Sequence, residues 1–335
     1  CLRHGIWRTY VAGSYLVDDA ASAMKSGEIL LEVVRNEMVE SVHSGHLLIL
    51  DGAGREVLSL GDPEEIIYPR SAIKSLQASA MVRSGLKLSA EQLAIVCASH
   101  AGSEAHLKNV LSILATCGRS ESDLKNTPDK PLGSAERSAW GERPASSLAA
   151  NCSGKHAGMV ATCVAHGWDI GSYKDIDHPL QIAIRREIET LTGSPVAKVG
   201  VDGCGAPLFA MSLRAMARAV RTMRISQDPV HSEVVNACMK YPVMVSGIGR
   251  LPTILMESVD GLFVKDGAEG VMVASLADGS VMVWKMSDGS QRGASSLAAA
   301  GLAHLGISVE IERDLVYGDG RVVGEIRASK LVHHA

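Results

Sequence analysis

The apolar positions of this chain change period twice. From Ile29 they alternate: Leu31-Glu32-Val33-Val34-Arg35 and Val39-Glu40-Ser41-Val42-His43 read as strands, and Leu47–Leu50, the turn Asp51-Gly52-Ala53-Gly54 and Glu56-Val57-Leu58 read as a hairpin. After Pro69 the period turns helical. Ile73, Leu76 and Ala80 share a face and Gly85 is a stop signal. Ser89 followed by Gln92 is a capping-box pair for a helix reaching about Cys97, and Ser103 is a cap for a helix striped by Leu107, Val110, Leu111 and Leu114. Residues 119–147 are polar, carry Pro128, Pro131 and Pro144, and read as one long loop. Helices follow from about Ser153, from Pro179 to Leu191 with Asp177 as its cap, and from Leu208 to Arg221 after a glycine-rich turn over 199–207. Alternation then returns. Gly261–Lys265 reads as a strand, and Val271–Leu276, the turn Asp278-Gly279 and Val281–Lys285 form a second hairpin. A helix near Ser295–Leu305 and a strand near Val322–Glu325 end the pattern.

Strands at both ends and helices between them predict an α+β fold. One mostly antiparallel sheet, made from the N- and C-terminal strands, would be covered by a central helical subdomain and by a terminal helix on its other face. Residues 1–28 have little periodicity and read as a leader of uncertain structure; residues 29–335 read as a single domain with no separable linker. The opening at Cys1 rather than Met is read as a truncated or mis-assigned start.

Composition narrows the function. With 33 Lys and Arg against 37 Asp and Glu, and no block of like charge, neither nucleic acid nor a membrane surface is the expected partner. Aromatic residues are 4% of the chain, too few for a base-stacking surface. No apolar run reaches membrane-spanning length and no signal-peptide pattern opens the chain. Seven scattered cysteines do not form a disulfide framework, so a cytoplasmic location is expected.

Four stretches carry candidate chemistry. Ser71-Ala72-Ile73-Lys74 puts a hydroxyl and an amine on one helix face, where a desolvated lysine can activate a serine. S-x-x-K is shared by penicillin-binding proteins and class A β-lactamases, although many helices match it by chance. Lys265-Asp266-Gly267 is the late strand lysine that accompanies such a motif, its glycine allowing a substrate backbone to approach. Ser99-His100-Ala101-Gly102-Ser103 is either an ordinary helix connection capped by Ser103 or part of a site. Cys152, Lys155 and Cys204, with Asp202 or His156 nearby, are either buried small side chains or a tetrahedral zinc site.

Taken in order, Pro69–Ser75, Ser99–Glu104, Asn151–Met159, Val201–Pro207 and Lys265–Val271 resemble the bacterial asparaginase II family of the rhizobial inducible type. The resemblance runs from about residue 29 to 330. It implies hydrolysis of L-asparagine to aspartate and ammonia, a fold similar to serine β-lactamases and glutaminases, a homodimer, a zinc ion and no organic cofactor. Carried over by motif, it implies two Ser-Lys pairs, Ser71 with Lys74 and Ser103 with Lys265, and zinc ligands Cys152, Lys155 and Cys204 with Asp202 close by. Two positions depart from the pattern: Asn36 stands where glycine is expected, a place that needs positive φ, and Ser246-Gly247 replaces a Gly-Gly-like turn.

The expected mechanism has Ser71 attack the side-chain amide carbon with Lys74 as base, while Ser103 and Lys265 shuttle protons or supply a second nucleophile. Arg70, His100 and Asn151 are the candidates for holding the substrate. The competing expectations are a glutaminase or β-lactam hydrolase on the same fold, a zinc-dependent amidohydrolase, and a silent amide-binding protein.

Overall fold

The computed structural model describes residues 24–333; residues 1–23 of the expected leader lie outside them. Strands β1 (Glu28–Arg35), β2 (Met38–Leu50), β3 (Glu56–Leu60) and the short β4 (Ile66–Ile67) open the fold. A 3-10 turn, Arg70–Ile73, leads into α1 (Lys74–Arg83), then α2 (Ala90–Val96), α3 (Glu104–Thr116), α4 (Ser134–Trp140), α5 (Ser153–His166) and α6 (Pro179–Thr192). Two strands follow, β5 (Lys198–Val201) and β6 (Pro207–Ser212), and then helices α7 (Leu213–Ile225), α8 (Pro229–Lys240), α9 (Pro242–Val245) and α10 (Leu251–Ser258). The chain closes with β7 (Phe263–Gly267), β8 (Val271–Ser275), β9 (Val281–Met286), α11 (Ala294–Ala303), β10 (Leu315–Gly318), β11 (Arg321–Ala328) and α12 (Lys330–His333).

The expected sheet is present. Its strands run β10-β11-β1-β2-β9-β8-β7, with β3 also on β2, and every pairing is antiparallel. The splice between the two chain ends is β2. Its first half pairs with β1, and Gly45–Leu50 pairs with β9 in the register Leu47↔Trp284 and Ile49↔Met282. Leu47, Leu48 and Ile49 are each wholly buried, so both faces of the sheet are covered here. Helix α7 lies against β2, β8 and β9, while α11 lies against β1 and β11. Helix α11 comes close because it carries Gly301, where a Cβ would meet Met282 Sδ and lie 3.6 Å from Ile49 Cδ1. Most of the buried apolar side chains belong to one cluster that runs from the sheet through α1, α2, α5, α6 and α8.

Several boundaries differ from the sequence expectation. Pro207–Ser212 is a strand, and the helix begins only at Leu213, capped by Ser212. A short apolar run fits either state, and here pairing with β4 and β5 decides it. The helix at Pro179 is capped by His178, whose ring accepts from Leu180 N, rather than by Asp177. The loop over 119–147 contains α4. The Ser89/Gln92 capping box is formed, and Asn36 adopts φ +45°, as expected. Among the described residues no helix is long and apolar enough to cross a membrane.

Candidate active site

Strand β7 is the end of the large sheet, and the 3-10 turn carrying Ser71 packs on it. The contact is backbone to backbone. A Cβ on Gly267 would lie 2.6 Å from Pro69 O and 3.0 Å from Ala72 N. This glycine therefore lets the serine turn approach the strand, and it also lines the cleft, where it was expected to make room for substrate. Arg70, just before the serine, is held at φ +52°, a left-handed conformation that costs a non-glycine residue on the order of 1 kcal/mol or more. Its guanidinium Nε donates to Asp202 Oδ1 at 2.8 Å, and Nη1 lies 3.7 Å from Glu269. These ties fix the turn, and Arg70, expected to hold the substrate, is part of the wall of the first lobe of the Ser71 cleft.

Ser71 is half-buried where two lobes of one cleft meet. The first, about 300 Å³, is walled by Arg70, Asp129, Asn151, Cys152, Asp202 and Cys204. The second, about 410 Å³, is walled by Ser99, Leu132, Arg250, Asp266, Met272 and Gln291 among others. Ser71, Asn151 and Ala268 belong to both. Asn151, a candidate for holding the substrate, lines both lobes. His100 does not: its side chain is wholly buried, stacks on His106, and shares a hydrogen bond with Ser153 Oγ at 2.8 Å. Burial, then His106, holds it well below the usual histidine range, so it is a neutral packing group.

Behind Ser71 two lysines are sealed from solvent. Lys74 Nζ donates to Ala98 O at 2.5 Å and to Ser99 Oγ at 3.4 Å. Lys265 Nζ donates to the same Ser99 Oγ at 2.9 Å, and to Asp266 Oδ1 at 2.5 Å. Arg250 Nη2 reaches the other oxygen of Asp266 at 3.1 Å. Burial, then the charge of Lys265, lowers Lys74 to about 8. Burial also lowers Lys265, against the opposing pull of Asp266.

Lys265 is thus bonded to Ser99 and not to Ser103, and among the described residues Lys74 donates to Ala98 and Ser99 with no hydrogen bond to Ser71, three positions before it. Ser103, expected as the partner of Lys265, caps α3: its hydroxyl accepts from His106 N and sits 2.7 Å from His106 Nδ1. The sequence held a signal for this. Ser103 followed by Glu104 and His106 is a helix start, and a capping hydroxyl is already committed to its own helix. Arg250 and Asp266 had no comparable local signal.

The first lobe ends in a thiol cluster. The turn between β5 and β6 carries Cys204, and the start of α5 carries Cys152, Lys155 and His156. Ligand atoms of Cys152, His156 and Cys204 lie within 4.8 Å of one another. Lys155 Nζ donates to Cys204 Sγ at 3.4 Å, and Asp202 Oδ2 lies 3.8 Å from that sulfur. Cys204 is held well below the usual thiol range by the hydrogen bond from Cys152 and, against burial, by Lys155 and His156. Burial lowers His156 to about 4. Its Nδ1 is 2.8 Å from Tyr173 Oη, while its buried Nε2 has no hydrogen-bond partner among the described residues. Two thiols and a neutral imidazole with an orphaned nitrogen fit zinc; Lys155, which against burial is held protonated by Cys204, Cys152 and Asp202, would have to give up its proton to join them.

A family model for L-asparaginase II matches residues 31–328. The chain belongs to the L-asparaginase II family. That membership makes it an asparaginase-type hydrolase, and the Ser-Lys cleft is its candidate active site. No curated protein sequence matches the chain. Among solved structures it is similar to one described as a β-lactamase from Mycobacterium bovis, at 14% identity over 73% of this chain and 88% of that one, with a TM-score of 0.37. Another, provisionally described as a β-lactamase from Bacteroides dorei, gives 12% identity over 81% and 87%, with a TM-score of 0.40. Likeness at that level adds nothing to what the site itself shows.

Proposed function

We propose that this L-asparaginase II family member hydrolyses the side-chain amide of L-asparagine to aspartate and ammonia, with Ser71 as nucleophile. The observation that carries the reading is the buried Lys74–Ser99–Lys265 chain behind a serine that faces both lobes. Lys74, neutral over part of the neutral-to-alkaline range, takes the Ser71 proton as Oγ bonds to the amide carbon. The Ser71 N–H precedes the first bond of the 3-10 turn, Ala72 N to Pro69 O at 3.1 Å, and is a donor for the oxyanion. As the C–N bond breaks, the leaving nitrogen takes a proton from Ser99, which Lys265 and Lys74 re-supply. Water then cleaves the aspartyl ester and restores Ser71.

Cys152, His156 and Cys204, with Lys155 beside them, would hold the zinc. Bound there, it supplies a fixed positive charge at the end of the first lobe that can orient the aspartyl end of the substrate. Asp202 and Asn151 line the same lobe and position that end directly. A homodimer and a reducing compartment, suited to the free cysteines, belong to the same proposal.

The test is ammonia release from asparagine and from glutamine by wild type and Ser71→Ala, with metal content measured on the same samples. A loss of about 10³-fold or more is expected for the variant. The thiol cluster favours one second reading, metal-dependent hydrolysis without an acyl-enzyme. It predicts that Ser71→Ala keeps most of its turnover while removal of metal abolishes it.

A further inference from the structure

The two lobes differ in what they offer the two sides of a scissile amide. Ser99 is the hydroxyl bonded by both buried lysines, and it lines the second lobe only. A leaving nitrogen must face its proton donor, so the amine departs into that lobe while the aspartyl side occupies the lobe of Asn151, Asp202 and the cysteines. Ammonia needs only about the 30 Å³ share of a small molecule such as water. The lobe that receives it measures about 410 Å³. It has apolar walls from Leu132, Leu251, Pro252 and Met272, and a guanidinium, Arg250. Arg250 is held by Ser246 through Nε at 2.9 Å and by Asp266 through Nη2 at 3.1 Å; its Nη1 donates to no described residue. The charged side chains lining this lobe are Arg250 and Asp266, and the buried amines of Lys265 and Lys74 lie behind its Ser99.

We propose that the enzyme also hydrolyses N4-substituted asparagines whose leaving amine bears a carboxylate, β-aspartyl dipeptides being the simplest, with Arg250 as the residue that selects the carboxylate. This rests on the reading of Ser71 as nucleophile. The bonds are those of the asparagine reaction: Ser71 Oγ joins the β-carbonyl carbon, the C–N bond breaks, and the proton lost by Ser71 returns through Ser99 to the nitrogen. An amino acid leaves in place of ammonia, and water releases aspartate.

The experiment compares kcat/KM for asparagine, β-aspartylglycine and β-aspartylglycinamide, in wild type, Arg250→Gln and Leu132→Trp. Expected are glycine release by wild type, a preference of about tenfold or more for the carboxylate over the amide, and loss of that preference in Arg250→Gln. In Leu132→Trp, a change at an exposed wall position, both dipeptides should fall relative to asparagine. Asparagine turnover without any release of glycine overturns the proposal and leaves the asparaginase reading intact. Turnover of none of the three overturns both. An equal loss on all three substrates in Arg250→Gln would place that residue on the aspartyl end and overturn the assignment.

Discussion

Lys265 Nζ lies 2.9 Å from Ser99 Oγ, although 166 positions separate them in the chain. Strand β7, the end of the large sheet, brings the lysine to the segment that leaves α2, where Ser99 N bonds to Val245 O and Lys74 reaches Ala98 O. One hydroxyl thereby joins two buried amines. Ser99→Ala should cost about 10²–10⁴-fold in kcat, the usual worth of a positioned proton donor. Ser103→Ala should instead lower stability by about 1 kcal/mol, as for a lost cap, with kcat near wild type. Steady-state kinetics and thermal melts on both variants distinguish the two serines.

Lys74 must be neutral to act as base, so kcat/KM should rise with pH and level off through an apparent pKa of about 8. Lys265, Lys155, Cys152 and Cys204 act on the same group and will shape the profile. Lys74→Arg, which stays charged, should lose the alkaline rise together with nearly all activity. The stability sign follows from the same shift. The folded lysine binds its proton less tightly than the unfolded one, whose pKa is 10.5, so its penalty is fully present below about 8 and is relieved as pH rises toward 10.5. Denaturant midpoints across that window should show a contribution that increases with pH.

Zinc at the thiol cluster is open to a test that does not use turnover. Purified protein should carry equimolar zinc, and Cys204→Ser should lose it. Cobalt substitution should give the sulfur-to-metal absorption expected of thiolate ligation in wild type but much less of it in the variant. His156→Ala removes the ring whose Nε2 is orphaned and should weaken metal affinity while leaving the thiolate absorption visible. Metal content after dialysis against a graded chelator measures the difference.

Gly267→Ala adds a methyl group 2.6 Å from Pro69 O, where backbone leaves no room. The serine turn must move away from β7. The cost should be about 1–3 kcal/mol in stability, as for other overpacked sites. The fall in kcat should approach ~10²-fold, because Ser71 rides on the displaced turn. Melting temperature and kcat should drop together. Normal kcat in a destabilised protein would mean that the turn can shift without carrying Ser71 out of place.

The amino-acid sequence by itself determined what depends on neighbours along the chain. Alternation placed the strand-rich ends, helical spacing placed α1, α3 and α6, and Ser89 with Gln92 marked a cap that forms. Local chemistry also singled out Ser71, Lys74, Lys265 and the cysteines, because each lies in a short block with its own signature. Partnership was a different matter. The resemblance paired Lys265 with Ser103, and only the docking of β7 against the end of α2 gave the lysine Ser99, four positions earlier, and left Ser103 to its helix. His100 was legible as a polar residue beside a site, but packing on His106 buried it. Pro207–Ser212 became a strand because β4 and β5 were there to pair with it. Arg250 and Asp266 gained their meaning from the side chains beside them in space. Periodicity and capping act over three or four residues, whereas a buried charge is settled by whichever partner the whole fold delivers to it.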